Sequence, residues 1–392
     1  MASGLDRISA LPDGVLEHVL GFLPANEAVQ TSVLARRWRH LWRCMRRLHI
    51  SIKDMASPAG FNKFVTGLLL LRNNRAVLDE VDFTHYPIDG TDGAYMNIWF
   101  QHILSCQVKV LVIRFYVDTL LLFDGPSLLS RHLQKLELHS LNLVDDVLDL
   151  SSCPALEILE IICCSIWCER ISSLSLKHLL IKRAAFSLFE IRRTRISTPS
   201  LVSMQIDYCY GVVPQLESMP SLQTAIVKCA SPFGIADYCG IDDSGDCGGI
   251  CSTCSDESSG CVLLQGLSSA VNLELMADRG MIIFRRDLRW CPTFSNLKTL
   301  LLNEWCVAND PGALFCILSH SPVLEKLTLQ LAKGPKDTTE FDAIFNVAES
   351  LAISKHLKTI EVQCEMVDER VCQILRLLKT LGINFTLKRT KM

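Results

Sequence analysis

The stretches LQKLEL (133–138), LEILEI (156–161), LKHLLI (176–181) and LVSMQI (201–206) follow one template, Leu-x-x-Leu-x-Leu, at intervals of 20 to 25 residues. The fourth and sixth positions of the template are two residues apart, so in a strand both side chains point to the same face of a sheet. A unit of this length cannot bury its own leucines, and neighbouring units must stack on one another. The template therefore predicts a parallel sheet built from repeated units.

Further copies of the template extend this region in both directions. Clear copies start at Leu297, Leu324 and Leu357, and degenerate ones at Leu78, Val108, Leu222 and Ala270. Most intervals match those of leucine-rich repeats. Pro-x-Leu opens four units and predicts a break before the strand, at Pro154, Pro199, Pro220 and Pro322. We expect an α/β fold with an irregular leucine-rich-repeat solenoid over 108–355, parallel strands on its concave face, and a linker helix with the first degenerate repeats over 49–107.

The 18 cysteines of the 392-residue chain favour free thiols over a disulfide framework. The first twenty residues place acidic side chains before the apolar stretch, which is not the pattern of a secretory signal. Thiols in a reducing compartment pack as small hydrophobic side chains. Cys164 and Cys209 fall at the ninth template position, where Asn or Cys is expected, and we expect them to be packing residues.

Composition excludes several classes of function. A net charge of −3 argues against a partner held through nucleic-acid phosphates. Mean hydropathy is high, at +0.26, yet no run of 18 apolar residues predicts a membrane span. The sequence has no P-loop, Gly-x-Gly-x-x-Gly, Gly-x-Ser-x-Gly or His-Glu-x-x-His motif. We expect a non-enzymatic protein without cofactors, nucleic-acid or membrane partners, located in the nucleus, the cytoplasm or both.

The first 48 residues predict three short helices. Asp13 is a candidate cap for the first helix, which Pro24 ends, and Asn26 for a second beginning at Glu27. A third apolar stripe includes Trp38 and Trp42. Three helices of this size cannot bury so much apolar surface alone, so part of it is expected to meet another domain or protein.

The segment DRISALPDGVLEHVLGFLPANEAVQTSVLARRWRHLWRCMRRL (6–48) resembles an F-box. The resemblance rests on Leu11-Pro12, on Leu23-Pro24 and on the run from Ser32 to Trp42, with Ala35 where Ser is commoner. It implies that residues 1–48 form a three-helix module that docks on a Skp-type adaptor and so joins a cullin–RING ubiquitin ligase. The implied docking residues are Leu11, Pro12, Leu16, Leu20, Leu23, Pro24, Val33, Leu34, Trp38 and Leu41. The alternative is that the apolar stripes form only the module core, which fits Val19 and Trp42.

Six arginines between Arg36 and Arg47 allow two interpretations. One is a nucleic-acid or nuclear-import patch. The other is a solvated helix face whose long stems cover apolar surface. We favour the second, because the chain as a whole is slightly acidic.

Residues 231–261 break the repeat pattern with six acidic residues, six Gly, six Ser and five Cys, but no Lys or Arg. This composition predicts a disordered acidic insertion. The alternative is a zinc site whose ligands come from Cys239, Cys247, Cys251, Cys254 and Cys261.

The tail at 356–392 resembles the end of plant F-box/leucine-rich-repeat proteins of the FBD type. It predicts a strand, a helix over about 368–381 with a stripe of Val371, Ile374, Leu375 and Leu378, and a final strand around 384–387. The helix would cap the exposed end of the solenoid.

Strand residues that flank the buried template positions are expected to bind a protein target. They include Lys135, Glu137, His139, Glu160, His178, Lys182, Gln205 and Asp207. The leading hypothesis is the substrate-recognition subunit of an SCF-type ubiquitin ligase. Two alternatives are a repeat scaffold without a ligase role and an F-box receptor that needs a small-molecule co-ligand.

Overall fold

The structure is a computed structural model of the chain. It describes residues 8, 10–55, 57–73, 76–86, 92–115, 128–143, 147–186, 193–211, 213–229, 261–277, 284, 287–307, 312–331, 355–380 and 385–389. The chain divides into two compact units, Met1–Cys168 and Glu169–Met392.

The first unit opens with a helical module. It contains α1 (Asp13–Leu20), α2 (Ala25–Gln30) and two 3₁₀ segments, Thr31–Val33 and Arg36–Cys44. The third predicted helix is therefore 3₁₀ over its whole length. It contains Trp38, His40 and Trp42, residue types of modest α-helix propensity, and it buries Trp42.

Both predicted N-caps in this module are wrong. Proline precedes each helix, at Pro12 and Pro24, and neither helix has a side-chain cap. Asp13 instead lies inside α1, where its carboxylate accepts a 2.8 Å hydrogen bond from Arg37 Nε. Asn26 lies inside α2. Pro12 and Pro24 occupy the N-cap position themselves, and proline has no side-chain oxygen to accept a bond from the first-turn amides.

A parallel ladder follows in the same unit. Its strands are β1 (Arg47–Ser51), β2 (Glu80–His85), β3 (Val110–Phe115), β4 (Lys135–His139) and β7 (Ile158–Ile162), paired in that order. The helices α3 (Pro58–Leu71) and α4 (Asp92–Ser105) lie between the first three strands in sequence. β5 (Asn142–Leu143) pairs with β8 (Ser165–Ile166), and β6 spans Val147–Asp149. No copy of the template predicts β1, which begins before the predicted linker segment at 49–107.

The second unit has a longer parallel ladder. Its strands pair in the order β10 (His178–Lys182), β13 (Ser203–Gly211), β15 (Thr224–Cys229), β16 (Asn272–Ala277), β17 (Thr299–Asn303), β18 (Lys326–Leu331), β19 (Thr359–Cys364) and β20 (Phe385–Arg389). β9 (Arg170–Ser172), β12 (Arg195–Ser197) and β14 (Gln215–Leu216) form a second ladder, and β11 (Ala185–Phe186) pairs with β13. The helices are α5 (Leu264–Leu267), α6 (Gly312–Ser319) and α7 (Glu369–Thr380).

The predicted core positions are confirmed in both units. The fourth and sixth template residues are buried even in the degenerate copies, as at Val81 and Phe83 or Ala225 and Val227. The register places these positions side by side on neighbouring strands, for example Leu136 beside Leu159. Stacking of the repeats therefore builds the hydrophobic core, as the template predicts.

The prolines of Pro-x-Leu occupy one turn position. Pro154, Pro199, Pro220 and Pro322 are each the second residue of a turn, in which the amide of the template leucine donates to the carbonyl three residues earlier at 3.0 to 3.3 Å. Proline favours this position because its fixed φ suits the first central residue of a turn. The predicted break before the strand is confirmed.

The predicted tail is confirmed with small changes of boundary. α7 begins after Asp368, whose carboxylate accepts a 2.8 Å hydrogen bond from the Val371 amide. Val371, Ile374 and Leu378 are buried, and Leu375 is half-buried. The final strand runs two residues beyond its predicted end. Residues 230–260, which hold nearly all of the predicted acidic insertion and four of its five cysteines, lie outside the described residues.

Candidate functional site

Of the ten implied docking residues, some lie in the interior of the helical module and others lie on its surface. Leu16, Leu20 and Leu41 are buried. Leu23, Pro24 and Trp38 are half-buried, and Leu11 and Pro12 are exposed. Val33 and Leu34 protrude furthest, with 84% and 70% of their surface exposed. Their role in docking stays a prediction, and only the exposed members of the set are open to a partner on this module.

The sequence pattern did not predict a second apolar stripe, which α1 exposes. Val15 and Val19 on α1 and Phe22 just after it are spaced four and three residues apart and are all exposed, on a different side of the helix from Leu16 and Leu20. The expectation that Val19 belongs to the core is wrong, whereas Trp42 is buried as expected. Helical spacing alone does not tell which of two apolar stripes faces inward. We call Leu11, Val15, Val19, Val33 and Leu34 the apolar surface.

Arg37 ties the two parts of the module together. Its Nη2 lies 2.6 Å from Asp13 Oδ1 and donates a 2.5 Å hydrogen bond to the Leu11 carbonyl. These bonds join the start of α1 to the 3₁₀ segment that follows Val33 and Leu34. Arg37 therefore positions both parts of the apolar surface on one module.

Three other arginines of the cluster, Arg43, Arg46 and Arg47, make local contacts. Arg46 Nε lies 2.7 Å from Asp79 Oδ2, and Arg47 Nε lies 3.4 Å from Glu80 Oε2. The Arg43 guanidinium lies 5.4 Å from the centre of the Trp42 ring. These contacts fit a helix-and-strand surface covered by long basic stems.

The second candidate surface is the open face of each ladder, opposite the buried template positions. In the first unit, the register aligns His49, Asp82, Val112, Glu137 and Glu160 in one row across five strands. The predicted target-binding residues Lys135, Glu137, His139 and Glu160 all lie on this face, and a chain of ion-pair contacts links them. Lys135 Nζ lies 2.6 Å from Glu160 Oε1 and 3.2 Å from Glu137 Oε2.

Arg114 extends these contacts into one charged network. Its guanidinium pairs with Asp82 on β2 and lies 3.4 Å from Glu137 on β4. His139 Nε2 lies 2.5 Å from the same carboxylate. Asp82 and Arg114 were not among the predicted binding residues, although they flank template positions of the degenerate copies at Leu78 and Val108 and could have been found from that register.

The network perturbs its central groups. Burial by itself raises the pKa of Glu137, but hydrogen bonds from His139 and Lys135 outweigh it and hold that pKa below its usual value. Burial lowers the pKa of Lys135, but hydrogen bonds to Glu160 and Glu137 raise it above the usual value. Both side chains therefore keep their charges over a wide pH range.

The open face of the second unit mixes aliphatic and polar side chains. By register, one row runs Leu180, Gln205, Ile226, Glu274, Leu301, Thr328 and Glu361. His178, Lys182, Gln205 and Asp207, the remaining predicted target-binding residues, lie on this face on β10 and β13. Asp207 Oδ2 lies 3.7 Å from Lys182 Nζ, while its buried Oδ1 has no hydrogen-bond partner among the described residues. Such a mixed surface is typical of protein interfaces.

A cavity in the second unit does not offer room for a small-molecule ligand. It is lined by apolar residues including Phe186, Ile206 and Val227, and its volume is about 20 Å³. This is close to the space of one water molecule. In the part of the chain that the structure describes, no helix has the length and apolar character needed to span a membrane.

Comparison with known proteins finds one known domain and several relatives of the chain. An F-box domain is recognised over residues 8–50. A putative F-box/FBD/LRR-repeat protein of Arabidopsis thaliana is 35% identical over 163 residues, which cover 40% of this chain and 34% of that protein. The meiotic F-box protein MOF of Oryza sativa subsp. japonica is 28% identical over 363 residues, covering 84% of this chain and 72% of that protein.

A third relative matches over most of both chains. An FBD-associated F-box protein of Arabidopsis thaliana is 24% identical over 379 residues, 90% of this chain and 82% of its own length. By contrast, this chain spans only about a third of the first Arabidopsis relative. The chain therefore contains an F-box domain, and it is similar to plant F-box proteins, some of which are named for leucine-rich repeats or for FBD.

Proposed function

We propose that this protein is the substrate-recognition subunit of an SCF-type cullin–RING ubiquitin ligase and has no catalytic activity of its own. The recognised F-box carries the proposal, because an F-box implies a Skp-type adaptor as partner. Ubiquitin transfer would take place on partner proteins, and this chain would hold the target near the charged enzyme. This role fits the expected nuclear or cytoplasmic location.

The apolar surface is the proposed adaptor site. Exposed aliphatic side chains cost free energy in water and gain it when a partner covers them. Val33 and Leu34 are the most exposed of its members, and they follow α2 directly. The buried Leu16, Leu20 and Leu41 would support this surface from inside the module.

The open faces of the ladders are the proposed target site. They combine charged groups with half-buried aliphatic residues such as Leu180, Ile226 and Leu301. We expect the reversals Glu160→Lys and Lys182→Glu to reduce target capture, because both alter charge on the open face. The buried Glu137 and Asp207 are poorer choices, since reversal there would also destabilise the fold.

A reconstitution tests the ligase role. The purified chain is mixed with a Skp-type adaptor and a cullin, and the mixture is resolved by size-exclusion chromatography. We expect the three proteins to elute as one complex, from which the variant Val33→Asp/Leu34→Asp drops out. Elution of the wild-type chain apart from the adaptor would overturn the proposal. Elution with the adaptor but never with cullin would support the scaffold without a ligase role.

A further inference from the structure

Two cysteines and a histidine converge in the second unit. The ligand atoms of Cys291, Cys316 and His320 all lie within 4.8 Å of one another, and the three residues are half-buried. Cys316 and His320 are four residues apart, at the end of α6, and therefore lie on one side of that helix. Cys291 follows the 3₁₀ segment Leu288–Trp290.

Backbone contacts hold the two segments of this cluster together. The Phe294 amide donates a 2.8 Å hydrogen bond to the His320 carbonyl. Cys316 Sγ lies 3.8 Å from the Leu288 carbonyl, and Cys291 Sγ lies 3.7 Å from the Pro292 carbonyl. These contacts fix the backbone of the two segments and therefore hold the three ligand residues near one another.

A fourth thiol, that of Cys261, lies next to these three residues. Asp287 is fully buried, and its carboxylate accepts hydrogen bonds from the amides of Val262, Leu263 and Leu264 at 2.6 to 2.9 Å. This clamp fixes Cys261, whose Sγ lies 3.8 Å from the Asp287 carbonyl. The next carbonyl along the chain, that of Leu288, lies 3.8 Å from Cys316 Sγ, so the Cys261 thiol lies beside the cluster.

Cysteine thiols and a histidine imidazole together favour a divalent cation with high affinity for sulfur. Tetrahedral zinc binds sulfur at about 2.3 Å and imidazole nitrogen at about 2.0 Å, which places sulfur atoms about 3.8 Å apart. Small side-chain movements reach that geometry from the present separations. His320 Nδ1 lies 4.0 Å from Cys316 Sγ and 2.8 Å from the Cys316 carbonyl, so the imidazole is held beside the thiol.

We propose that Cys291, Cys316 and His320, with Cys261 as the fourth ligand, bind one Zn²⁺ ion. The ion would join the segment before α5, the segment after Trp290 and the end of α6. It would therefore stabilise the outer side of the repeats that contain β16 and β17. This site differs from the zinc site predicted within 231–261, with which it shares only Cys261.

Metal analysis of the purified full-length chain tests the proposal. We expect one zinc per chain, and after exchange with Co²⁺ an absorption spectrum with tetrahedral and thiolate-to-cobalt bands. Cys316→Ser and His320→Ala should reduce the zinc content to a trace. Two controls, Cys372→Ser on α7 and the double variant Cys251→Ser/Cys254→Ser, should keep it.

Differential alkylation of the wild-type chain tests the proposal without any variant, and so it remains informative if a ligand variant does not fold. Cys261, Cys291 and Cys316 should resist alkylation with zinc bound and become modified after a chelator removes it. The proposal is overturned if the wild-type chain binds neither zinc nor Co²⁺. It is also overturned if zinc is lost only in the Cys251→Ser/Cys254→Ser variant, or if Cys291 and Cys316 form a disulfide in protein prepared with zinc.

Discussion

Glu137 is the centre of the charged network on the first ladder. It contacts Arg114, Lys135 and His139 at 2.5 to 3.4 Å, and its side chain is 13% exposed. Hydrogen bonds to a charged group that is mostly buried are stronger than those of surface pairs. Loss of this carboxylate therefore affects stability as well as any target contact.

We expect Glu137→Gln to lower the free energy of unfolding by about 1–2 kcal/mol at pH 7. Because the folded-state pKa of Glu137 lies below its usual value, the contribution is present above the unfolded pKa and is lost as the pH falls through the folded value. Urea unfolding at pH 7 and in acid measures both effects. Glu27→Gln, an exposed carboxylate on α2, is the control. An equal loss at both pH values would contradict the assignment.

The neighbours Cys163 and Cys164 differ sharply in environment. Cys164 is buried, and its Sγ lies 3.4 Å from the Leu138 carbonyl of the preceding repeat. Cys209 makes the equivalent contact with the Ile181 carbonyl at 3.6 Å. The sequence predicted both as packing thiols from their template position, and the structure confirms it. Cys163, by contrast, is exposed.

Alkylation should separate these two cysteines. Burial raises the pKa of Cys164 to about 12, so almost none of it is the reactive thiolate at pH 8. We expect a maleimide or iodoacetamide to modify Cys163 and leave Cys164 unmodified in the folded chain, as read by peptide mass spectrometry. In urea both should react. Modification of Cys164 at the rate of Cys163 under native conditions would show that the repeat is not packed as described.

At the scale of the element, the four repeats that start at Leu133, Leu156, Leu176 and Leu201 share one unusual backbone conformation after the buried strand positions. Ser140, Cys163, Arg183 and Tyr208 all occupy the eighth template position, and each has φ between 51° and 54°. Side chains other than glycine rarely adopt this conformation. No glycine or asparagine marks these positions, so the sequence did not predict this conformation.

Arg183→Gly should relieve this strain. Arg183 is exposed, and its amide donates a 2.9 Å hydrogen bond to the Asp207 carbonyl that a glycine amide can also donate. We expect a gain in the free energy of unfolding of up to about 1 kcal/mol, because glycine adopts positive φ without a steric cost. The adjacent strand substitution Lys182→Gly should instead lose about 1 kcal/mol. Chemical denaturation measures both, and destabilisation by Arg183→Gly would contradict the strain argument.

The strands could be predicted because burial repeats with a fixed pattern. The fourth and sixth positions must be apolar in every unit, and this holds even where the residue is Ala225 or Phe83. The buried side of the helical module was harder to predict, because α1 carries apolar residues on two sides. Leu16 and Leu20 have the same spacing as Val15 and Val19. Which side faces inward depends on tertiary contacts that local sequence does not encode.

At the scale of the first unit, the F-box module continues directly into the repeats. β1 begins at Arg47, within the recognised F-box, and pairs with β2 of the first predicted repeat. Pro24 forms a bridge with His49, and the Asp79 amide donates to the Arg46 carbonyl at 2.7 Å. The proposed adaptor surface and the first ladder are therefore held in a fixed orientation. This suits a protein that must present a target at a defined place.

The central claim is that the apolar surface of the F-box module binds a Skp-type adaptor. It is tested most directly by calorimetry, which measures the affinity of the wild-type chain and of two matched variants for that adaptor. Leu34 on the apolar surface and Leu70 on α3 are both 70% exposed. We expect Leu34→Asp to weaken binding about 30-fold or more, as for a hot-spot residue, while Leu70→Asp binds like the wild type. Circular dichroism checks that both variants are folded. Wild-type affinity in Leu34→Asp, or equal losses in both variants, would contradict the account.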